Sequence, residues 1–89
     1  MKHFNITVEG YVQGVGFRYF VNKQAQIYGV KGFVKNMYNG SVYIEVEGKE
    51  LQTNQFIRTC YQGPSSARVT NVDIEEGEVK NFSLFQVKY

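Results

Sequence analysis

With one cysteine and one histidine in 89 residues, the chain has little of the chemistry that many catalytic sites are built from. Cys60 has no second thiol to pair with, so no intramolecular disulfide can form. Its place on an apolar helical face reads as a buried structural thiol. His3 opens an alternating stretch and reads as a solvated strand-edge residue with no catalytic role. No apolar run approaches the roughly 20 residues that span a bilayer. The opening residues, Met1 to Asn5, enter a strand pattern at once, without the apolar segment of a signal peptide. Together these absences predict a soluble, cytoplasmic protein with no membrane partner. In that compartment the glycosylation triplets at Asn5, Asn39 and Asn81 are chance matches.

Charge of one sign is also scarce. The net charge is +2, and the basic residues are scattered rather than massed. A dedicated nucleic-acid binder usually carries a basic stripe, so that partner class is not expected. A small anion met at one local site is compatible with this balance. There is no linker, low-complexity segment or close repeat, so residues 1–89 read as one domain. A chain of this size buries on the order of 60–65% of its unfolded surface. Its 43% hydrophobic content, with seven Phe and seven Tyr, is ample for one core.

Hydrophobic spacing then gives the order of elements. Phe4, Ile6 and Val8 alternate with polar partners, as in a half-buried strand. Phe17, Phe20, Val21, Ala25 and Tyr28 share one helical face, and Gly29 supplies a left-handed stop. Val30 to Asn36 reads as a second strand, and Asn39-Gly40 as a hairpin turn. Val42, Ile44 and Val46 face one side of a third strand, and Tyr43, Glu45 and Glu47 the other. Lys49 to Gln62 reads as a second helix with Phe56, Ile57 and Cys60 inward, closed by Gly63-Pro64. Ala67 to Glu75 and Phe82 to Tyr89 read as two more strands. Each changes phase midway, as a bulge or an unpaired stretch would require. The expected fold is α+β: a ferredoxin-like βαββαβ sandwich, one mostly antiparallel sheet with both helices on one face.

Against that frame of weak signals stands Gly10-Tyr-Val-Gln-Gly-Val-Gly-Phe-Arg18, at a strand-to-helix junction. Glycine there lets the backbone turn so that successive N–H groups face one point, a cradle for an anion. The helix adds N-terminal donors and the positive end of its dipole. Arg18, in the first helical turn, is disfavoured by that dipole; a bound anion gripped by its planar guanidinium would offset the penalty. Spacing alone leaves two readings open: an anion site, or a tight glycine turn followed by a solvated arginine. Neither a Walker loop nor a dinucleotide fingerprint fits, because no Gly-Lys-Ser/Thr follows and the third glycine is missing. Asn36, taken alone, reads as a strand-ending asparagine, yet the βαββαβ order can carry its amide to the loop.

Two longer patterns resolve the choice. Val8-x-Gly10-x-Val12-Gln13-Gly14-Val15-x-Phe17-Arg18 resembles the first signature of the acylphosphatases. Gly32-Phe33-Val34-Lys35-Asn36, followed by Gly40-x-Val42 and Gly48, resembles the second. The residue between Val15 and Phe17 varies in that family, so Gly16 breaks no pattern. The resemblance implies a hydrolase that splits carboxyl–phosphate anhydrides into carboxylate and inorganic phosphate, with no cofactor and no metal. It implies that Arg18 and the main-chain N–H groups of Gln13, Gly14, Val15, Gly16, Phe17 and Arg18 hold the phosphoryl group. Asn36 would hold the attacking water, and Ser41 would help to fix Asn36 or that water. The partners implied are a small acyl phosphate and the phosphate product, and a chain of this size is expected to be a monomer.

Leaving-group chemistry agrees with that implication. A departing carboxylate is a weak base, its parent acid having a pKa of about 4, so little acid assistance is needed. A monoester would expel a far more basic alkoxide and would want an acid or a metal. Neither signature contains His, Cys, Asp or a carboxylate pair, and Glu9 is expected to face solvent. A rival of another class is an RNA-recognition sheet, because Lys31-Gly32-Phe33 resembles the opening of its RNP1 motif. That motif wants further aromatics where Lys35 and Met37 stand. A non-catalytic phosphate sensor would have no use for a water-holding Asn36.

Overall fold

A computed structural model describes residues 1–89, and the chain direction of its strands decides where the site can form. The elements are β1 (Lys2–Tyr11), α1 (Phe17–Tyr28), β2 (Lys31–Asn36), β3 (Val42–Gly48), α2 (Glu50–Gln62), β4 (Arg68–Gly77) and β5 (Phe85–Lys88). The strands form one sheet in the order β4-β1-β3-β2-β5. β3 lies antiparallel between β1 and β2, so those two run the same way, and β5 pairs with β2 in parallel. The C-terminal ends of β1, β2 and β5 therefore open on one edge of the sheet. This is the ferredoxin-like α+β arrangement expected from the sequence, with a parallel strand added at one side.

The strand period of two sorts the side chains. Ile6 and Val8 of β1, Val34 of β2, and Val42, Ile44 and Val46 of β3 face the helices and are fully buried. They meet Phe17, Val21 and Ala25 of α1 and Phe56, Ile57 and Cys60 of α2. The Cys60 thiol sits in this layer, and burial pushes its pKa up to about 12, so it is inert at neutral pH. No helix is long and apolar enough to cross a membrane.

One expectation is borne out and two need correction. The phase change in β4 is a bulge: Glu9 pairs with Asn71 and Gly10 with Val69, which leaves Thr70 as the extra residue. β5 starts at Phe85 rather than Phe82, so Leu84 precedes the strand and is half exposed, which accounts for the phase change there. His3 is not solvated, because β1 is an interior strand flanked by β3 and β4. The segment between β4 and β5 crosses the helix-free face and covers His3, Glu45 and Glu47. The His3 ring stacks on Phe82 with centroids 6.0 Å apart.

Beneath that strap the polar groups satisfy one another. Glu47 faces His3 Nδ1 at 2.8 Å and accepts the main-chain N–H groups of Lys80 and Phe82. Glu45 accepts from Lys80 Nζ at 2.8 Å and from the Tyr43 hydroxyl at 2.8 Å. Burial alone would raise the Glu47 carboxyl pKa, but the Lys80 N–H, the His3 ring and the Phe82 N–H together hold it below the ordinary range. Glu45 is also lowered, with burial opposed by Lys80 and Tyr43. Tyr43 pays the converse: burial and the neighbouring Glu45 carboxylate raise its hydroxyl pKa to about 12.

A carboxyl lowered in the folded state stabilises above its unfolded pKa, and that contribution fades as pH falls. Replacing Glu47→Ala strands three donors and is expected to remove about 3–5 kcal/mol at pH 7. Urea unfolding should show the gap to the parent protein closing below about pH 4.3, as the carboxyl protonates.

Candidate active site

The loop between β1 and α1 gets its shape from two left-handed glycines and one amide side chain. Gly14 and Gly16 have φ of 76° and 78°, and a Cβ at either would meet no neighbour, so conformation rather than space demands glycine there. Gly10 differs: a Cβ there would stand 2.1 Å from the Arg68 carbonyl oxygen. It serves the β1–β4 approach at the bulge and lies outside the cradle. Gly16 caps α1 with no side-chain cap, and no acidic residue occupies the first turn. The main-chain N–H groups from Gln13 to Arg18 have no acceptor within the chain. An uncapped helix start with free donors presents positive potential outward.

Gln13 fixes the loop to the rest of the edge. Its Nε2 donates to the Met37 carbonyl at 2.8 Å and to the Ser41 carbonyl at 2.9 Å. Those carbonyls belong to the β2–β3 turn, so the loop is pinned beside the end of β2. The Ser41 hydroxyl bonds Asn39 Oδ1 at 2.6 Å, and Ser41 N–H bonds the same oxygen. That hydroxyl donates inside its own turn rather than to Asn36. Ser41 acts instead through its carbonyl, which Gln13 and Met37 N–H share.

Arg18 and Asn36 line one cleft of about 350 Å³, with Gly14, Gly16 and Phe17 of the loop. Asn36 shares the parity of buried Val34, so its side chain sits on the helix side of the sheet, toward the loop. Arg18 has no carboxylate partner. One nitrogen, Nη1, donates to the Lys88 carbonyl at 3.2 Å, and the Tyr89 ring lies 4.7 Å from the guanidinium carbon. A neutral carbonyl and an aromatic face orient the group without neutralising it. No Asp, Glu, His or Cys lines the cleft. Glu9 is exposed and accepts from Asn71, as a solvent-facing residue would.

Of the residues singled out from the sequence, Gly14, Gly16, Phe17, Arg18 and Asn36 come together here, while Gln13 turns its side chain to the β2–β3 turn. Val15 turns its side chain to the core and offers only its N–H. Sequence reasoning missed Tyr19, Asn22, Val87 and Tyr89, which also line the cleft. Asn22 carried a signal, since it follows Arg18 by one helical turn. Val87 and Tyr89 carried none, because only the parallel pairing of β5 with β2 brings them to this edge.

Similarity to known proteins converges on one group. The model of the Acylphosphatase family matches residues 4–87. The chain is 48% identical over 89 residues to an acylphosphatase of Thermotoga petrophila, covering 100% of this chain and 99% of the relative. It is 44% identical to one from Archaeoglobus fulgidus over the full length of both. The crystal structure of acylphosphatase from Bacillus subtilis superposes with a TM-score of 0.97 at 36% identity, over the full length of both chains.

The Gln13 bridge makes a checkable contribution. Gln13→Ala is expected to lower stability by about 1–2 kcal/mol through two lost hydrogen bonds. It should also reduce the backbone NMR order parameters of residues 13–17, while those of α2 stay unchanged.

Proposed function

This chain belongs to the acylphosphatase family, and on that premise we propose that it hydrolyses acyl phosphates by in-line attack of water without a metal ion. The observation that carries the reading is that Arg18 and Asn36, far apart in sequence, line one cleft beside a run of free main-chain donors. The N–H groups from Gln13 to Arg18 and the Arg18 guanidinium hold the phosphoryl oxygens. Their partial and full positive charges meet the charge spread over those oxygens in the transition state. Asn36 holds a water through its side-chain amide and aims it at phosphorus. The water oxygen forms the new P–O bond, the bridging P–O bond breaks, and its electron pair leaves with the carboxylate. The protons of the water remain on the phosphate or pass to solvent.

The absence of an acid in the cleft suits this substrate class. A carboxylate whose parent acid has a pKa of about 4 departs without protonation, so positioning and charge complementarity suffice. The same reading takes residues 1–89 as one catalytic domain. One chain lines the whole cleft, so a monomer is sufficient, and the buried thiol of Cys60 suits a reducing cytoplasm.

Hydrolysis of benzoyl phosphate in EDTA tests the proposal. The parent protein is expected to turn it over. Arg18→Ala should lose about 10²–10³-fold in kcat/KM, comparable to removing one strong oxyanion donor. Asn36→Ala should lose a similar factor in kcat while phosphate still inhibits at nearly the parent concentration. An inactive, folded parent protein or near-parental turnover by Asn36→Ala would overturn the reading.

A further inference from the structure

The cleft is larger than a phosphoryl group requires. At about 350 Å³ it lies at the lower end of the range that accommodates whole small ligands, and the acyl half must lie somewhere along it. The loop, Arg18 and Asn36 leave the α1 wall beyond Arg18 without a role. On that wall stands Asn22, one turn after Arg18 and on the same face of α1. Asn22 is half-buried, and its amide neither donates to nor accepts from any group of the chain. Asparagine is a weak helix former whose amide competes with the main chain. In mid-helix, with no partner, it contributes nothing to the fold that alanine would not. A residue that breaks a local rule without structural return points to function.

The direction of the chemistry narrows what that function is. In-line displacement puts the entering and leaving oxygens on opposite sides of phosphorus. With the water on Asn36, at the end of β2, the leaving oxygen departs away from β2. The helix α1 packs against both β2 and β5 and lines the same cleft through Arg18, Tyr19 and Asn22. We propose that Asn22 reads the acyl half: its Nδ2–H donates to the carboxylate oxygen that takes up the electron pair as the bridging P–O bond breaks. This rests on the acyl phosphate reading of the cleft and adds a leaving-group donor to it. The donor matters most for acyl phosphates of more basic, poorer-leaving carboxylates, where more negative charge remains on oxygen in the transition state. Inorganic phosphate, which has no acyl half, gains nothing from it.

A series of ring-substituted benzoyl phosphates, whose parent acids differ in pKa, tests this with the parent protein, Asn22→Ala and Asn22→Gln. Alanine is the better helix former, so the first variant is expected to fold with an unchanged or raised Tm. Its kcat/KM should fall about tenfold, the scale of one hydrogen bond to a charged group. The loss should grow as the leaving acid becomes weaker, so that log kcat/KM depends more steeply on its pKa. The inhibition constant of inorganic phosphate should not move. Asn22→Gln, which keeps the donor, should recover part of the loss on the most basic leaving groups. Unchanged kcat/KM, or a loss uniform across the series and matched by weaker phosphate inhibition, overturns the role of Asn22. A parent protein that hydrolyses none of the series overturns the reading beneath it instead.

Discussion

Everything at the cleft depends on β1, β2 and β5 pointing the same way. The sheet order puts one antiparallel strand, β3, between the first two, so the loop after β1 and the end of β2 sit about two strand spacings, ~10 Å, apart. That gap has the dimensions that the proposed mechanism asks for, a small anion at the loop and a water at Asn36. β5 then brings the Lys88 carbonyl and the Tyr89 ring to the same edge, where they seat Arg18. Reverse any of the three strands and its contribution would move to the far end of the molecule.

The site is held from outside by few, specific contacts. Gln13 ties the loop to the β2–β3 turn, and the Ser41–Asn39 pair keeps that turn in shape. Neither touches the cleft with its own side-chain chemistry. The charge at the centre is left uncompensated: no carboxylate approaches Arg18, and the loop donors have no internal acceptors. Such a site costs stability, and the two faces of the sheet offset that cost differently. One buries fifteen hydrophobic residues with the helices, and the other buries His3, Glu45 and Glu47 under the strap that leads to β5.

Much of this was legible in the sequence because it is local. The alternation in Phe4, Ile6 and Val8, the hairpin at Asn39-Gly40 and the glycine stop at Gly29 each follow from backbone preference within a few residues. Arg18 and Asn36 were legible through the two long patterns around them. Contacts between distant segments were not. His3 looked exposed because nothing near it in sequence shows that residues 80 and 82 lie over it. The same limit hid Tyr89 from the cleft, and the Asn39 partner of the Ser41 hydroxyl was not anticipated either. Asn22 was passed over for a different reason: a polar residue in a helix is ordinary until its lack of partners is seen.

The strap and β5 also govern how the protein is made. His3 pairs with Gly77 across the sheet, and Phe85 of the final strand completes the hydrophobic core. Most of the contacts join segments far apart along the chain, and loop-closure entropy must be met before they form. During synthesis the first helix and the glycine loop leave the ribosome long before their seat exists. Arg18 acquires its orientation only when Lys88 and Tyr89 arrive, so a nascent chain carries every anion-binding residue and still lacks a working cleft.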